Sequence, residues 1–414
     1  MPHRSSVAAS RLEPSDGTAT PRKRRRRARR VRSPRVRRAL KVLVRGTIAV
    51  VLVIAVYVGV TIYPYLSGPG TDSDSARAAE WARDHHLSWA VTWLKNETYT
   101  PPPTGGTLSA TQRKALLGPE AAPRPHPHPT APAAPATTAV DLPTNIPAQA
   151  ANALPGEGAW HAVTYDSAGN PVIEEAALRP DARHTSELAY AAWLNQKALT
   201  FTLQPGYQQP GGNWPVPDSV SGTALQGLVA TWNGGFKVKP DDALGGYYAD
   251  GVTAVPLVEG KAAEVFYRDG SLRIGVWGSD LTMNSNVLAV RENLSPLVLG
   301  GVVQVGAAAG SGTQWGVTIN NDYFIARSGV GITASGDIVY VSGSALSVAT
   351  LAQLLRAAGA VDAMELDINP DWVSFMTYSG NQASPDPVKL WNFIQPADRY
   401  LQSASRDFVS AHLR

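Results

Sequence analysis

From Gly46 to Tyr63 the chain carries no charged residue, and directly before it, from Arg22 to Arg45, stand fourteen basic residues and no acid. The apolar run Ile48–Tyr57, extended by Val42–Val44 before Arg45 and by Leu66 after Pro64, supplies the roughly 20 residues that cross a hydrocarbon core of about 30 Å. It reads as a transmembrane helix over 46–66. Basic residues are retained in the cytoplasm, so the tail at 1–45 orients the chain N-in and C-out. The expectation is a single-pass plasma-membrane protein whose C-terminal part is extracytoplasmic.

Two other readings of this end are weaker on their own terms. A cleaved signal peptide has a shorter apolar core and a small-residue cleavage site, whereas Tyr63-Pro64-Tyr65-Leu66 follows here. Arg37-Arg38-Ala39-Leu40-Lys41 resembles a twin-arginine signal but lies inside a longer basic run. An Arg cluster of this kind can bind nucleic acid. Placed beside a span, it points instead to anionic lipid headgroups, and no nucleic-acid partner is expected.

Charge divides the chain. Residues 1–45 hold sixteen Lys and Arg against two acids, whereas the rest holds twenty-one against thirty-one, so the overall +4 describes neither part. With no cysteine in the sequence, disulfides, thiol nucleophiles and Cys-based zinc sites are excluded. Trp81, His85, Trp89 and Trp93 recur at spacing four and predict a juxtamembrane helix within 67–100, one face of which packs on the domain or on the membrane surface. The Pro/Ala-rich stretch 101–158, with Pro125-His126-Pro127-His128-Pro129, reads as an extended linker.

Residues 159–414 are expected to form one mixed α/β (α+β) domain with a large, mostly antiparallel sheet and packed helices. Strand signals fall at 160–165, 198–203, 228–232, 263–267, 272–277, 287–290 and 338–341, with Asp269-Gly270 as a hairpin turn. One helix, Ser347–Ala358, has Ser347 to cap its start and Gly359 to end it.

The candidate chemistry follows that helix. In Val361–Ile368, alternation puts Met364, Leu366 and Ile368 on one face and Glu365 and Asp367 on the other. Carboxylates two residues apart on a strand are separated by roughly 7 Å at about 3.3 Å per residue. This lies between the spacings of about 5 and 9.5 Å found in retaining and inverting glycosidases. Asp367 opens the polar turn Asn369-Pro370-Asp371, where functional residues tend to sit. Its Asp-x-Asn-x-Asp pattern offers oxygen ligands to a divalent cation, but Trp372 in place of the required Gly excludes an EF-hand. No cofactor is expected.

Arg327 is the only basic residue between Arg291 and Arg356. A guanidinium in a stretch of small residues requires an anion, either an internal acid such as Asp322, Asp337 or Asp367 or a substrate phosphate. Asn233-Gly234-Gly235-Phe236 follows an apolar strand and fits a tight turn at a sheet end. Gly-x-Ser-x-Gly and a P-loop are absent, which argues against a Ser-His hydrolase and a nucleotide-binding protein.

Taken in order, Asn233–Phe236, the segment Arg327-Ser328-Gly329-Val330-Gly331 and the helix-to-strand unit Ser347–Asp367 resemble the phosphodiester glycosidase family. Its animal members uncover the mannose 6-phosphate signal by removing N-acetylglucosamine from a phosphodiester. The resemblance implies a hydrolase in which Asp367 is the catalytic carboxylate, Arg327 holds the phosphate and Glu365 is a second acid. Asn233, Gly234, Gly235, Asn369 and Asp371 would then bind the substrate, a glycosyl phosphate or envelope polysaccharide. Family members commonly continue from that Asp into Gly-Gly-Gly-Ser, where this chain has Ile368-Asn369-Pro370-Asp371. The departure keeps open a non-catalytic glycopolymer-binding or envelope-assembly factor. For topology, protease added to intact cells should remove everything beyond about residue 64 while an N-terminal tag survives; a protected domain would reverse the orientation.

Overall fold

The computed structural model describes residues 34–118, 141–238, 244–306, 315–316, 324–381 and 384–414. The basic run before residue 34, the Pro-His stretch 125–129 and Asp322 lie outside them. The chain divides into two units, Met1–Val60 and Thr61–Arg414. Helix α1 (Pro34–Leu66) includes Arg38–Leu66, long and apolar enough to cross a membrane and with none of its apolar window packed against protein.

The second unit is built on three sheets rather than one, and every strand pair in them is antiparallel. The largest runs β1 (His161–Tyr165), β2 (Pro171–Leu178), β3 (Ala189–Leu194), β14 (Ile338–Leu346), β13 (Ile325–Thr333), β15 (Ala360–Glu365), β11 (Pro296–Leu299), β12 (Val302–Val303). The second runs β7 (Val252–Val255), β6 (Tyr247–Ala249), β10 (Val287–Glu292), β8 (Ala262–Tyr267), β9 (Leu272–Val276). The third runs β17 (Ser384–Lys389), β16 (Phe375–Asn381), β5 (Leu228–Asn233), β18 (Phe408–Leu413), β4 (Leu199–Gln204).

Strand periodicity explains how the largest sheet is covered on both faces. Side chains alternate with period two, so Ile338 and Tyr340 of β14 enter the central core between the sheets. Val339 and Val341 enter a second core beneath helix α5 (Val348–Ala357). On β15 the same rule sends Met364 to the first core and Ala363 to the second. Helix α5 has the expected ends: Ser347 Oγ accepts from Thr350 N at 3.0 Å, and Gly359 takes φ +102°. Asp269-Gly270 turns between β8 and β9, with Gly270 at φ +82°.

The segment before the domain differs from its sequence reading. The aromatic stripe is split between α2 (Asp74–Asp84) and α3 (Ser88–Thr98), with His86 at φ 60° between them. Trp81 is buried and stacks on His85 at 4.8 Å, whereas Trp89 and Trp93 remain exposed. Helix α2 is joined to the domain by Asp72–Arg399 at 2.7 Å, just before its start, and by Asp84–Lys237 at 2.6 Å. The Pro/Ala-rich region contains helix α4 (Ala110–Leu116), and its Leu108 and Leu116 pack with Ala177 and Leu188. Ile146 enters the core under α5, and Glu157 pairs with Arg179 at 2.7 Å. In its described parts, then, this region is a cover on the sheet rather than a free spacer. Scattered leucines in a Pro-rich composition carry no periodicity, which is why the packing was not evident.

Removing this cover should therefore cost stability. Without Asp72, Arg399 becomes an unpaired buried charge, a loss of roughly 3–5 kcal/mol. A fragment beginning at residue 141 should melt on the order of 10 °C below one beginning at 67, at about 2–4 °C per kcal/mol. Equal melting temperatures would mean that 67–140 is a spacer after all.

Candidate functional site

Three of the expected segments meet where β5, β13 and β15 end. Beyond β15 the pairing continues, since Leu366 N donates to Ser328 O at 2.8 Å and Ser328 N to Asp367 O at 2.9 Å. Ser328 Oγ also donates to Asp367 O and accepts from Asp367 N, at 3.1 and 3.2 Å. Asn233, the last residue of β5, donates through Nδ2 to the same Oγ at 3.0 Å. Its Oδ1 accepts from Tyr340 OH and from Ser374 N, both at 3.0 Å. Every polar atom of the Asn233 amide is thus engaged in binding the sheets together, and none lines a cavity.

The glycines after Asn233 allow close approach rather than an unusual φ. A Cβ on Gly234 would lie 2.3 Å from Asp407 Oδ2, and one on Gly235 3.1 Å from Arg291 Nη2. Arg291 and Asp407 are a buried pair, Nε to Oδ2 at 2.7 Å, and Arg291 Nη2 donates to Phe236 O. The turn is clamped on this pair and presents Phe236 and Lys237.

Those two side chains help to line a cavity of ≈ 510 Å³. Among the expected site residues, Asp367 and Asn369 line it, whereas Arg327, Glu365, Asn233, Gly234, Gly235 and Asp371 do not. The charged lining is Arg83, Lys95, Lys237 and Arg406 against Glu80 and Asp367, four cations to two acids. Arg406 lies over the Trp372 ring at 4.7 Å and donates to Gln209 Oε1 at 3.0 Å and Glu80 Oε1 at 3.4 Å. Burial raises the Asp367 carboxyl above its ordinary value, with the Arg406 charge and the amides of Asn369 and Ile368 opposing. Burial lowers Lys95, and Arg83 adds to the effect. No motif marks Arg406, which stands just before β18, or Arg83 and Lys95, which belong to α2 and α3. Lys237 had a signal: it directly follows Asn233–Phe236, at a position where the family frequently has a second aromatic.

Arg327 is paired with Glu365, Nη1 to Oε1 at 2.5 Å, each side chain 1% exposed. Its Nε donates to Leu346 O at 3.0 Å. The anion it meets among the described residues is therefore neither Asp337 nor Asp367; Asp337 instead accepts from Ser335 Oγ at 2.7 Å. Burial raises Glu365 to about 7 against the attraction of Arg327, and its Oε2 has no hydrogen-bond partner. Asp371 N donates to Asn369 Oδ1 at 3.2 Å, closing the polar turn on itself. Among the described residues no group of three or more His, Asp or Glu is arranged to hold a metal ion.

Asn233→Ala separates a structural from a substrate-binding role. It leaves the Ser374 N–H buried and unpaired, at roughly 1–3 kcal/mol, and the Tyr340 hydroxyl with only the longer bond to Ser374 O at 3.3 Å, so the melting temperature should fall clearly. An unchanged melting temperature with weakened substrate binding would return Asn233 to the cavity.

Residues 226–367 match the family model described as phosphodiester glycosidase. Among solved structures, the zebrafish N-acetylglucosamine-1-phosphodiester alpha-N-acetylglucosaminidase catalytic domain, auto-inhibited by pro-peptide, is 15% identical, with 62% of this chain and 88% of that chain covered and a TM-score of 0.39. A hypothetical protein from Synechocystis is 11% identical, with 55% and 59% covered and a TM-score of 0.35. No curated protein matches the chain. The match to the phosphodiester glycosidase model thus falls on the part of the chain that holds the clamped turn, the β13–β15 pair and Asp367 at its end.

Proposed function

We propose that the chain is a membrane-anchored, extracytoplasmic hydrolase that cleaves the bond between an anomeric carbon and a phosphodiester oxygen in an envelope polysaccharide or related glycoconjugate. The observation that carries this reading is the Asp367 carboxylate in the wall of a cavity lined by four cations, whose other acid, Glu80, is paired with three of them. A phosphodiester is anionic and its sugar is neutral, so such a lining fits the first and leaves the carboxylate for the second. The anchor is Arg38–Leu66, and the basic tail before it favours a cytoplasmic N-terminus held on anionic lipids.

The bond broken makes the absence of a catalytic histidine intelligible. The leaving group is a phosphate monoester with a second pKa near 6, which departs at neutral pH with little protonation. A carboxylate that activates water or stabilises the oxocarbenium-like centre, together with cations on the phosphate, suffices. In this mechanism Asp367 is the carboxylate. Arg406, rather than Arg327, faces the phosphate with Lys237, while Trp372 and Phe236 give the sugar apolar walls and Asn369 a polar contact. The Arg327–Glu365 pair positions the β13 and β15 ends that carry Ser328 and Asp367. Glu365, paired with Arg327 and outside the cavity lining, acts as a positioning residue rather than as a second acid.

Asp367→Asn removes the charge and keeps the shape, and positioned acid–base groups contribute about 10²- to 10⁴-fold. The purified chain should lose kcat by that order on a sugar 1-phosphodiester with its melting temperature unchanged. Arg406→Lys should lower kcat/KM more for the diester than for binding of the free sugar, since the planar fork is lost. Because ionised Asp367 is the active form and burial raises its pKa, activity should fall on acidification at a pH above the usual 3.8 of an aspartate. Wild-type turnover by Asp367→Asn would sink the assignment, and tight binding of glycosyl phosphates without cleavage would favour the glycopolymer-binding factor.

A further inference from the structure

Helix α3 has two unlike faces. Ser88, Val91, Thr92 and Lys95 line the cavity. At about 3.6 residues per turn, Trp89, Trp93 and Leu94 fall on the other side, exposed at 69%, 60% and 57%. Two adjacent indoles and a leucine in solvent are a substantial apolar surface for so short a helix.

The chain supplies its own reason for what covers them. Only the 21 residues Ser67–Leu87 separate α3 from the end of α1. The end of α1 is fastened to α2: Trp81 Nε1 donates to Thr61 Oγ1 at 3.1 Å, Tyr65 OH to Asp84 Oδ2 at 2.9 Å, and Arg77 Nη1 to Tyr65 O at 3.0 Å. Arg77 also binds the carbonyls of Gly68, Pro69 and Gly70. Residues 67–87 are therefore tied to one another and to Thr61 and Tyr65 rather than forming a long free linker, which keeps α3 within a short reach of Leu66. Tryptophan is the residue enriched at the membrane–water interface, where its ring is in the acyl boundary and its N–H in water. An amphipathic helix with Trp and Leu on one face lies in that plane.

We propose that α3 is an interfacial helix, its Trp89–Trp93–Leu94 face seated in the lipid headgroup region, and that the cavity on its other side takes a phosphodiester borne by a membrane lipid. This rests on the membrane reading of Arg38–Leu66 given above. Lys95 on α3 itself and Arg83 on α2 then offer their charges to a phosphate carried at the lipid surface, in the cavity that Asp367 also lines. A diester in solution would gain nothing from this arrangement.

The test uses the full chain reconstituted in phosphatidylcholine vesicles carrying bromine on the acyl chains near the headgroup. None of the eleven tryptophans lies in α1 or before it, so quenching of tryptophan emission reports on the extramembrane part alone. Wild type should be quenched, and Trp89→Ser/Trp93→Ser should lose most of that quenching at an unchanged melting temperature. The double variant should also lose kcat/KM toward N-acetylglucosamine 1-phosphate esterified to a polyprenol in the same vesicles, while keeping the wild-type rate on the methyl diester in solution. Chain that floats with vesicles but shows equal quenching in both forms overturns the interfacial helix and leaves the anchor standing. Equal losses on the two diesters overturn the lipid-borne substrate. Chain that does not float overturns the anchor and this inference together.

Discussion

One buried hydroxyl, Ser328 Oγ, fixes the relation between the carboxylate and the scaffold. It binds both the amide and the carbonyl of Asp367 and receives the Asn233 amide from another sheet. Asn233 in turn holds Tyr340 and Ser374. A carboxylate that must act on one atom of a substrate needs a main chain that cannot shift, and these bonds hold it from both sides. The Arg327–Glu365 and Arg291–Asp407 pairs, each 1% exposed, brace the same region from either flank. Buried pairs of this kind add little net stability but are costly to break, so their effect is to fix one arrangement.

The second half of the site comes from outside the family segment. Arg83 and Lys95 are contributed by α2 and α3, and Arg406 by the chain just before β18. Glu80 links these parts: it meets Arg83 at 2.7 Å, Lys237 at 3.3 Å and Arg406 at 3.4 Å. Three of the four cations are thereby paired with Glu80, while Arg406 also acts on the Asp367 charge. An incoming phosphate would compete with Glu80 for them, which couples substrate binding to the helices nearest the membrane span.

Features written in local pattern were legible in the sequence. The α5 caps, the Asp269-Gly270 hairpin and the alternation that places Met364 and Asp367 on opposite faces each depend on neighbours a few residues away. The order of three short motifs pointed to the family whose model matches residues 226–367. What escaped the sequence was long-range: that Glu365 and Arg327 would satisfy one another rather than a ligand, that Asn233 would be consumed as a tie between sheets, and that Arg406 would cross the chain to the Asp367 wall. The division of the expected sheet into three is of the same kind, because strand pattern gives faces and not partners. The Pro/Ala-rich segment misled in the opposite direction. Its composition predicts extended chain, whereas helix α4 forms within it and Leu108, Leu116 and Ile146 pack on the domain.

The central claim is that the bond broken lies between carbon and oxygen, not between phosphorus and oxygen. Hydrolysis of a sugar 1-phosphodiester in water enriched in heavy oxygen decides this directly, by mass analysis of the two products. The account predicts the label on the anomeric hydroxyl of the released sugar and none on the phosphate monoester; label on the phosphate would make the protein a phosphodiesterase and contradict the role given to Asp367.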